Sequence, residues 1–356
     1  MSARLTPKER FTRCALGQDI DMLPVQCDFS ARGLRRFLRD RGVNRVSDLE
    51  LLPFFENHVL YAYMDGAVLA MKTMDYRGQK VLYDEWQCGW DTSQDLMFCE
   101  SPIKDWDDME HYRFPDPLAS GYLDYAESLI RAGYGESHIV TAYHFSTLFE
   151  RAYMLRGFEN FLMDLLSEED LVMDLLDKIT GFHVALAKRY IKLGVNCGRT
   201  VDDYGMQTSM LMAPEVWRKF FKPRLAQIVA VYRNAGLPMI HHSCGNIMEI
   251  VGDLIEIGVN VLNPIQPRAL DLNRLVDDYG EKITFFGGIC NQEVLPRGKP
   301  EEVEETVRRM TALLGRHGRF VIAPSNGIGP DVPPENIEAF FRAARENRDG
   351  GKRSSL

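Results

Sequence analysis

Several kinds of segment are missing from this sequence. No run of about 18 or more apolar residues occurs, so no membrane-spanning helix is predicted. The N-terminal stretch MSARLTPKERFTRCALG lacks an apolar core, which predicts no secretion signal and a cytoplasmic location. No basic stretch carries interleaved aromatic residues, and the net charge is -9, so nucleic acid is not expected as a partner.

Linkers and paired cysteines are also scarce. No low-complexity segment or short-period repeat divides the 356 residues, so one domain is predicted over residues 1–348, with a disordered tail over 349–356. The seven cysteines are odd in number and scattered along the chain. Because no secretion signal is predicted, the cysteines are expected to be reduced thiols, which serve either as core residues or as metal ligands.

Short apolar runs alternate with amphipathic helical patterns. The pattern predicts a (β/α)8 TIM barrel of the α/β class, because repeated strand–helix units form a parallel sheet covered by helices. A doubly wound sheet is disfavoured, since no G-x-G-x-x-G turn follows the first strand. Residues 146–193 are too many for one crossover and predict extra helices between strands 3 and 4. The candidate strands are Leu23–Asp28, Lys80–Glu85, Ile139–His144, Cys197–Asp202, Pro238–Cys244, Val259–Pro264, Ile283–Ile289 and Phe320–Pro324.

Reactive side chains gather at the carboxyl ends of these strands, where barrels carry their active sites. Three carboxylates there are candidate proton shuttles, with structural ion pairs as the alternative reading. Four polar residues are candidate substrate contacts. The carboxylates are Asp202, Asp203 and Glu85, and the substrate contacts are Tyr143, Gln207, Asn326 and Gln266.

The spacing His242-x-Cys244 is the sharpest local signal. Residues i and i+2 of a strand share a side, so both can face the barrel mouth while His241 faces the helices. A histidine nitrogen and a thiolate are half of a zinc site, although a buried histidine beside a core cysteine fits equally well. Cys290 ends the seventh strand and could complete a His/Cys/Cys set with one open coordination position, with Asp202 as outer acceptor for His242.

Longer motifs surround these residues. They are HSCGNI, GVNVLNPIQP, FFGGICNQEVLPRGKPEEV and APSNGIGPDVPPENI, with TLFERAYMLRGFENFLMDL and DDYGMQ upstream. With these motifs the chain resembles the uroporphyrinogen decarboxylase-like superfamily over about Glu9 to Arg345. The resemblance implies a (β/α)8 barrel and one of two chemistries. One is cofactor-free decarboxylation of uroporphyrinogen, and the other is zinc-dependent methyl transfer to or from a corrinoid protein or a thiol.

Departures from the decarboxylase pattern favour methyl transfer. The decarboxylases carry an arginine-rich segment after the first strand, where this chain has VQCDFS with Asp28. They have Asp-Ser-Trp where this chain has Asp202-Asp203-Tyr204, and a histidine where Asn326 stands. The methyltransferases carry the H-x-C pair and place a third cysteine ligand at the position of Asn326, so Cys290 is expected to replace it.

The leading hypothesis is therefore a zinc methyltransferase. Zn²⁺ on His242, Cys244 and Cys290 would serve transfer between a small O-, N- or S-methyl substrate or thiol and a corrinoid held by a partner protein. A homodimer is compatible with the sequence. One alternative is a cofactor-free decarboxylase acting on a porphyrinogen or a smaller acid. Another is a catalytically silent tetrapyrrole carrier, which the lack of a D-x-H-x-x-G motif disfavours.

Overall fold

The structure is a computed structural model that describes residues 4–42, 55–66, 69–70, 78–93 and 97–348, so the predicted tail over 349–356 lies outside the described residues. Most strands are short and buried, as expected for a sheet covered on both faces. They are β1 (Val59–Tyr63), β2 (Val81–Tyr83), β3 (Gly89–Asp91), β4 (Met97–Glu100), β5 (Ile139–His144), β6 (Cys197–Val201), β7 (Met239–His242), β8 (Val261–Ile265), β9 (Thr284–Ile289) and β10 (Phe320–Pro324).

Helix ends coincide with capping residues. The first helix follows Thr6, whose side chain accepts a hydrogen bond from Glu9 N, and the longest helix stops at Gly194 with φ of 98°. The α-helices span Pro7–Ala15, Ala31–Arg39, Asp124–Arg131, Tyr134–Ser137, Phe149–Arg156, Phe158–Ser167, Glu169–Leu193, Pro214–Phe220, Lys222–Asn234, Val251–Ile257, Leu272–Tyr279, Val294–Arg297, Pro300–Leu314 and Pro334–Asn347, and 3₁₀ turns span Trp106–Glu110 and Met248–Ile250.

The main sheet is parallel and curled, in the order β1-β5-β6-β7-β8-β9-β10. The segment around Val25 lies between its two edges. Val25 forms a parallel bridge with Ile322 of β10. On the other side, the Gln26 side chain accepts hydrogen bonds from the backbone N–H groups of His58 and Val59. This segment occupies the first strand position of the predicted barrel. The Gln26 side chain replaces some of the backbone hydrogen bonds that would join it to β1.

The inside of the sheet holds its own apolar cluster. Inward residues from the starts of the strands pack with Phe11 and Ala15 of the first helix. That helix therefore closes the amino-terminal end of the barrel, which leaves the carboxyl ends of the strands open for a site. The larger cluster lies between the strands and the outer helices.

One predicted strand is misplaced. Lys80–Glu85 contributes β2 to a separate antiparallel sheet, in the order β2-β3-β4, and not to the barrel. The barrel strand that the sequence reading missed is β1, in the apolar run VLYAY. Both runs are short and apolar, and only long-range pairing separates them. The extra helices predicted between the third and fourth strands are present, between β5 and β6.

Candidate functional site

A cavity of about 550 Å³ opens at the carboxyl ends of the barrel strands. Aromatic rings form much of its wall, with Tyr63 and Tyr143 rings 4.6 Å apart between centroids and Tyr61 and Tyr143 rings 5.6 Å apart. Polar groups converge on the same space. They are Asp28, Glu150, Arg199, Asp203, His242, Asn263, Asn291 and Asn326.

Three potential metal ligands meet beside this cavity, and two of them, Asp203 and His242, line it. Single ligand atoms of Asp203, His242 and Cys244 all lie within 4.8 Å of one another. His242 Nε2 lies 3.6 Å from Cys244 Sγ and 3.7 Å from Asp203 Oδ1. Nitrogen, sulfur and carboxylate oxygen are the donors that zinc takes in proteins. We refer to these three residues as the donor cluster.

Two interlocked loops hold the donor cluster together. The Cys244 N–H donates to Asp203 Oδ1 at 2.8 Å, and the Gly205 N–H donates to the Cys244 carbonyl at 3.2 Å. Gly245 has φ of 83°, and a Cβ there would lie 2.2 Å from the Gly205 carbonyl carbon. Both the backbone conformation and the close approach therefore require glycine at this position.

The orientation of the His242 ring is set by contacts at its Nδ1 atom, on the side away from Cys244 and Asp203. Its Nδ1 lies 2.7 Å from Asn263 Oδ1, which also accepts a hydrogen bond from Arg199 Nη2 at 2.9 Å. With Nδ1–H donating to Asn263, the Nε2 lone pair faces Cys244 and Asp203. Burial and the nearby Arg199 guanidinium lower the pKa of His242, which favours the neutral, ligating imidazole.

Cys244 is held as a thiol in the metal-free chain. Burial and the neighbouring Asp203 carboxylate raise the pKa of Cys244 well above its usual range. Asn326 Nδ2 lies 3.5 Å from its sulfur. The position at which the resemblance implies a third cysteine ligand therefore does reach the donor cluster, but with an amide.

Cys290 does not join the donor cluster among the described residues, contrary to the sequence prediction. The prediction supposed that Cys290, at the end of the strand, faces inward, but regular alternation does not continue to the end of β9. Phe286 lines the cavity, but Gly287 and Gly288 follow with φ of 132° and 89°. These backbone conformations lie outside the extended region. The alternation of side chains between the two faces of the sheet therefore cannot be extended from Phe286 past these glycines.

Of the other predicted catalytic residues, Asp203 lines the cavity and two do not. Asp202 is fully buried in the wall, where it accepts hydrogen bonds from the N–H groups of Leu148 and Glu150 and from the Tyr204 hydroxyl. It is thus not the outer acceptor for His242. Glu85 lines a smaller cavity, because it follows a strand of the antiparallel sheet.

The predicted substrate contacts also divide. Tyr143 and Asn326 line the main cavity. Gln266 lies behind the donor cluster, where its Oε1 accepts the Gly245 N–H at 2.6 Å. Gln207 is exposed and donates to the Arg268 carbonyl at 2.6 Å. Gln207 and Gln266 therefore fix loops and do not face the cavity.

Several cavity residues were missed by the sequence reading. Arg199 lies two residues before Val201 on β6, and Tyr61 lies on the unrecognised β1, so both face inward by alternation. Asn263 lies two residues after the inward-facing Val261 on β8, so it faces inward for the same reason. Glu150 comes from a helix start and gave no such signal. Its pKa is raised well above the usual range by burial and by Asp203.

Comparisons with known proteins agree with this architecture. A family model described as uroporphyrinogen decarboxylase (URO-D) matches residues 94–347. Methylcobamide:CoM methyltransferase MtbA of Methanosarcina mazei is 22% identical, over 96% of this chain and 98% of its own length. Uroporphyrinogen decarboxylase of Pseudomonas fluorescens is 23% identical, over 95% and 96%.

Two further similarities are a sequence match over about half of the chain and a structural match over nearly all of it. Methylcobamide:CoM methyltransferase MtaA of Methanosarcina barkeri is 26% identical over 53% of this chain, and the match spans only 52% of that relative. A solved structure of a methyltransferase from Methanosarcina mazei superimposes with a TM-score of 0.75 at 19% identity, covering 96% of this chain and 99% of that one. At that identity the superposition shows a shared fold.

None of the described helices has the length and apolar character that crossing a bilayer requires.

Proposed function

This chain belongs to the uroporphyrinogen decarboxylase (URO-D) family, and we propose that it is a zinc-dependent methyltransferase. It would move a methyl group between a small O-, N- or S-methyl substrate or thiol and a corrinoid carried by a separate protein. The observation that carries the proposal is the donor cluster of Asp203, His242 and Cys244 at the cavity. The methylcobamide:CoM methyltransferases among its relatives support it.

The donor cluster fits zinc better than the predicted His/Cys/Cys set does. Asp203 takes the place proposed for Cys290, which gives one oxygen, one nitrogen and one sulfur ligand. Three protein ligands leave a position for substrate, and zinc bound there would act as a Lewis acid on a thiolate or an ether oxygen. Deprotonation of Cys244 is coupled to metal uptake, because its thiol stays protonated without a cation.

The surrounding residues position and shield the reacting group. Asn263 Oδ1 contacts His242 Nδ1 and would favour the tautomer that leaves Nε2 free for a metal, and the Asn326 amide contacts the Cys244 sulfur. Tyr61, Tyr63 and Tyr143 form an aromatic wall that limits water around the reacting atoms. Burial and the neighbouring Asp203 carboxylate raise the pKa of Glu150, which disfavours its charged form and makes it a candidate proton donor to the cavity.

Decarboxylation is the second candidate, because a uroporphyrinogen decarboxylase is similar over 95% of this chain. The lining of the cavity argues against a substrate with many carboxylates. Among the described lining residues Arg199 is the only lysine or arginine, whereas Asp28, Glu150 and Asp203 are acids. Buried carboxylates need paired cations, and this cavity has too few.

The test is metal content combined with ligand variants. Wild-type protein should bind about one zinc ion per chain, and Co²⁺ substitution should give a thiolate charge-transfer band. Cys244→Ser should abolish that band, and His242→Ala and Asp203→Asn should lower bound zinc. Cys290→Ser is the matched control and should keep both the band and the zinc.

The methyl-transfer assay then uses a methylated corrinoid and small thiols as acceptors. Cys244→Ser should lose transfer while Cys290→Ser retains it. A wild-type chain that takes up no zinc, or one that decarboxylates uroporphyrinogen at an enzymatic rate, contradicts the proposal. Loss of zinc in Cys290→Ser with full retention in Asp203→Asn would restore the His/Cys/Cys set.

A further inference from the structure

A second, smaller cavity lies behind the aromatic wall of the main one. Its volume is about 20 Å³, and Tyr143 and Phe145 line both cavities, so these two residues lie between them. Two polar side chains, those of Glu85 and His183, share this small space, which the proposed methyl transfer does not use. The other lining residues are Met64, Trp86, His144, Phe182 and Leu186.

His183 has one ring nitrogen without a partner, although the residue is only 3% exposed. Its Nδ1 lies 3.0 Å from Nδ1 of His144, and its Nε2 has no hydrogen-bond partner among the described residues. The Thr147 carbonyl lies near the ring but outside hydrogen-bonding geometry for Nε2. Most buried polar atoms are bonded to protein or to ordered water, because an unsatisfied one costs its desolvation. The Nε2 atom therefore needs a partner that the described side chains do not supply.

A chain of contacts limits where the protons of this histidine pair can lie. The Tyr232 hydroxyl is 2.6 Å from Nε2 of His144, whose Nδ1 meets Nδ1 of His183. Burial lowers the pKa of both histidines, so both rings are neutral and each carries one proton. Only two arrangements then satisfy both contacts, and they run in opposite directions along the chain.

One direction leaves fewer buried groups unsatisfied. If Tyr232 donates to His144, then His144 donates from Nδ1 to His183, and the proton of His183 is on Nε2. In the reverse direction the Tyr232 O–H has no acceptor among the described residues, and Tyr232 is fully buried. The reverse direction therefore adds one unsatisfied buried donor. The first direction is favoured, and in it His183 offers an N–H group at Nε2.

We propose that the smaller cavity binds one ordered water molecule, which accepts a hydrogen bond from His183 Nε2–H and donates one to the Glu85 carboxyl group. About 10–15 Å³ of such space is enough for one water, which needs two to four polar partners, and this cavity meets both conditions. The water completes a continuous path of hydrogen bonds from Tyr232 through the two histidines to Glu85. This site is separate from the donor cluster and does not depend on the proposed function.

A cation is a poorer occupant of the same space. The N–H group of His183 would face it. The Arg151 guanidinium also lies 5.1 Å from the centre of the Trp86 ring, and Trp86 lines the cavity. Among the described residues, no set of three metal donors meets there. Water is neutral and can both accept from His183 and donate to Glu85, so it suits the two polar groups together.

The path of hydrogen bonds also holds the end of β5. The rings of Tyr143 and Phe145 stack at 6.3 Å between centroids and both line the main cavity. His144 lies between them in the chain, and by alternation its side chain points to the other side, where it joins the path. The water therefore belongs to the support of two residues in the aromatic wall.

The first measurement locates the protons. The chain has eight histidines, so ¹⁵N-histidine labelling gives a spectrum simple enough to separate their ring nitrogens. A scalar coupling across the N–H···N hydrogen bond identifies the pair in the wild-type chain at pH 7. The ring that donates through Nδ1 should be His144, and its unprotonated Nε2 should shift in Tyr232→Phe. If Tyr232→Phe instead shifts a protonated nitrogen of the pair, the direction is reversed and the proposal is overturned.

Tyr190→Phe is the matched control for that variant. The rings of Tyr190 and Tyr232 both lie 5.8 Å from the His144 ring, measured between centroids. The Tyr190 hydroxyl, however, donates to the Ala62 carbonyl at 2.9 Å. Its removal should leave the Nε2 signal of His144 unchanged. An equal shift in both variants would mean that the hydroxyl of Tyr232 does not set the direction, and the proposal fails.

The second measurement locates the water and starts from the wild-type chain. A crystal structure should show one ordered water within about 3.2 Å of both His183 Nε2 and a Glu85 carboxyl oxygen. A dry cavity, or a larger molecule in it, overturns the proposal without any variant. Glu85→Gln should keep the water, because the amide oxygen still accepts a hydrogen bond, and Glu85→Met should lose it. A folded Glu85→Met chain that keeps the water in place overturns the assignment of Glu85.

Discussion

Asn263 offers a direct test of how His242 is held. Its Oδ1 contacts His242 Nδ1 at 2.7 Å and Arg199 Nη2 at 2.9 Å, and the residue is 6% exposed. Asn263→Leu removes this oxygen while keeping a similar volume. The imidazole then loses the acceptor that fixes its tautomer, and loss of such an outer partner lowers metal affinity about 10- to 100-fold.

The same substitution should also destabilise the metal-free chain. Two buried donors, one on Arg199 and one on His242, lose their acceptor, at about 1–3 kcal/mol each. Asn263→Asp is the matched control, because it keeps an oxygen at the same place and adds an anion beside Arg199. It should retain wild-type zinc affinity, losing only the weak contact of Asn263 Nδ2 with the Phe286 carbonyl at 3.3 Å.

The assay has two parts. Zinc affinity is measured by competition with a chromophoric chelator at pH 7, and the free energy of unfolding is measured in urea with excess chelator. If a folded Asn263→Leu chain binds zinc as tightly as wild type, Asn263 does not orient the ligand. If the Leu and Asp variants lose affinity equally, the oxygen is not the cause and the reasoning fails.

Three further predictions address the frame around the site. Gly245→Ala should cost more stability and zinc affinity than Gly236→Ala, because both have positive φ but only the Gly245 position is crowded by backbone; equal losses in urea unfolding would refute this. Asp84→Ala leaves Arg151 unpaired and should lower the free energy of unfolding by about 3–5 kcal/mol, whereas a loss below about 1 kcal/mol would contradict the buried pair. Burial and the Asp84 carboxylate raise the pKa of Glu85 from 4.5 to about 7. Wild-type stability should therefore fall between those pH values as the unfolded chain ionises first, and Glu85→Gln should make the decline smaller without abolishing it, because burial also raises the pKa of Glu150; an unchanged decline would refute the assignment to Glu85.

Features that depend on neighbouring residues in the chain were predictable. The alternation of apolar runs with helical patterns indicated the parallel barrel, because burial on both faces imposes that pattern on each strand. The period of a strand predicted that His242 and Cys244 share a side. The pair does meet, although β7 ends at His242 and Cys244 lies in the loop that follows. The extra helices before β6 followed from chain length alone.

Features that depend on distant residues were not predictable. The runs Val81–Tyr83 and Val59–Tyr63 are equally strand-like, and only pairing with β5 places the second one in the barrel. The sequence reading could not choose between Asp202 and Asp203, because alternation ends where the strand ends and the loop decides which carboxylate faces the cavity.

The sequence by itself thus determined the fold class, the end of the barrel that carries the cavity and two members of the donor cluster, His242 and Cys244. The tertiary structure decided the third partner. Consecutive positive-φ glycines interrupt regular alternation just before Cys290, while the loop after β6 brings Asp203 into the donor cluster. It also set Arg199 beneath the donor cluster without a paired carboxylate among the described residues. The alternation of side chains along a strand depends on neighbouring residues. The direction of a loop and the pairing of buried charges depend on distant segments of the chain that meet only after folding.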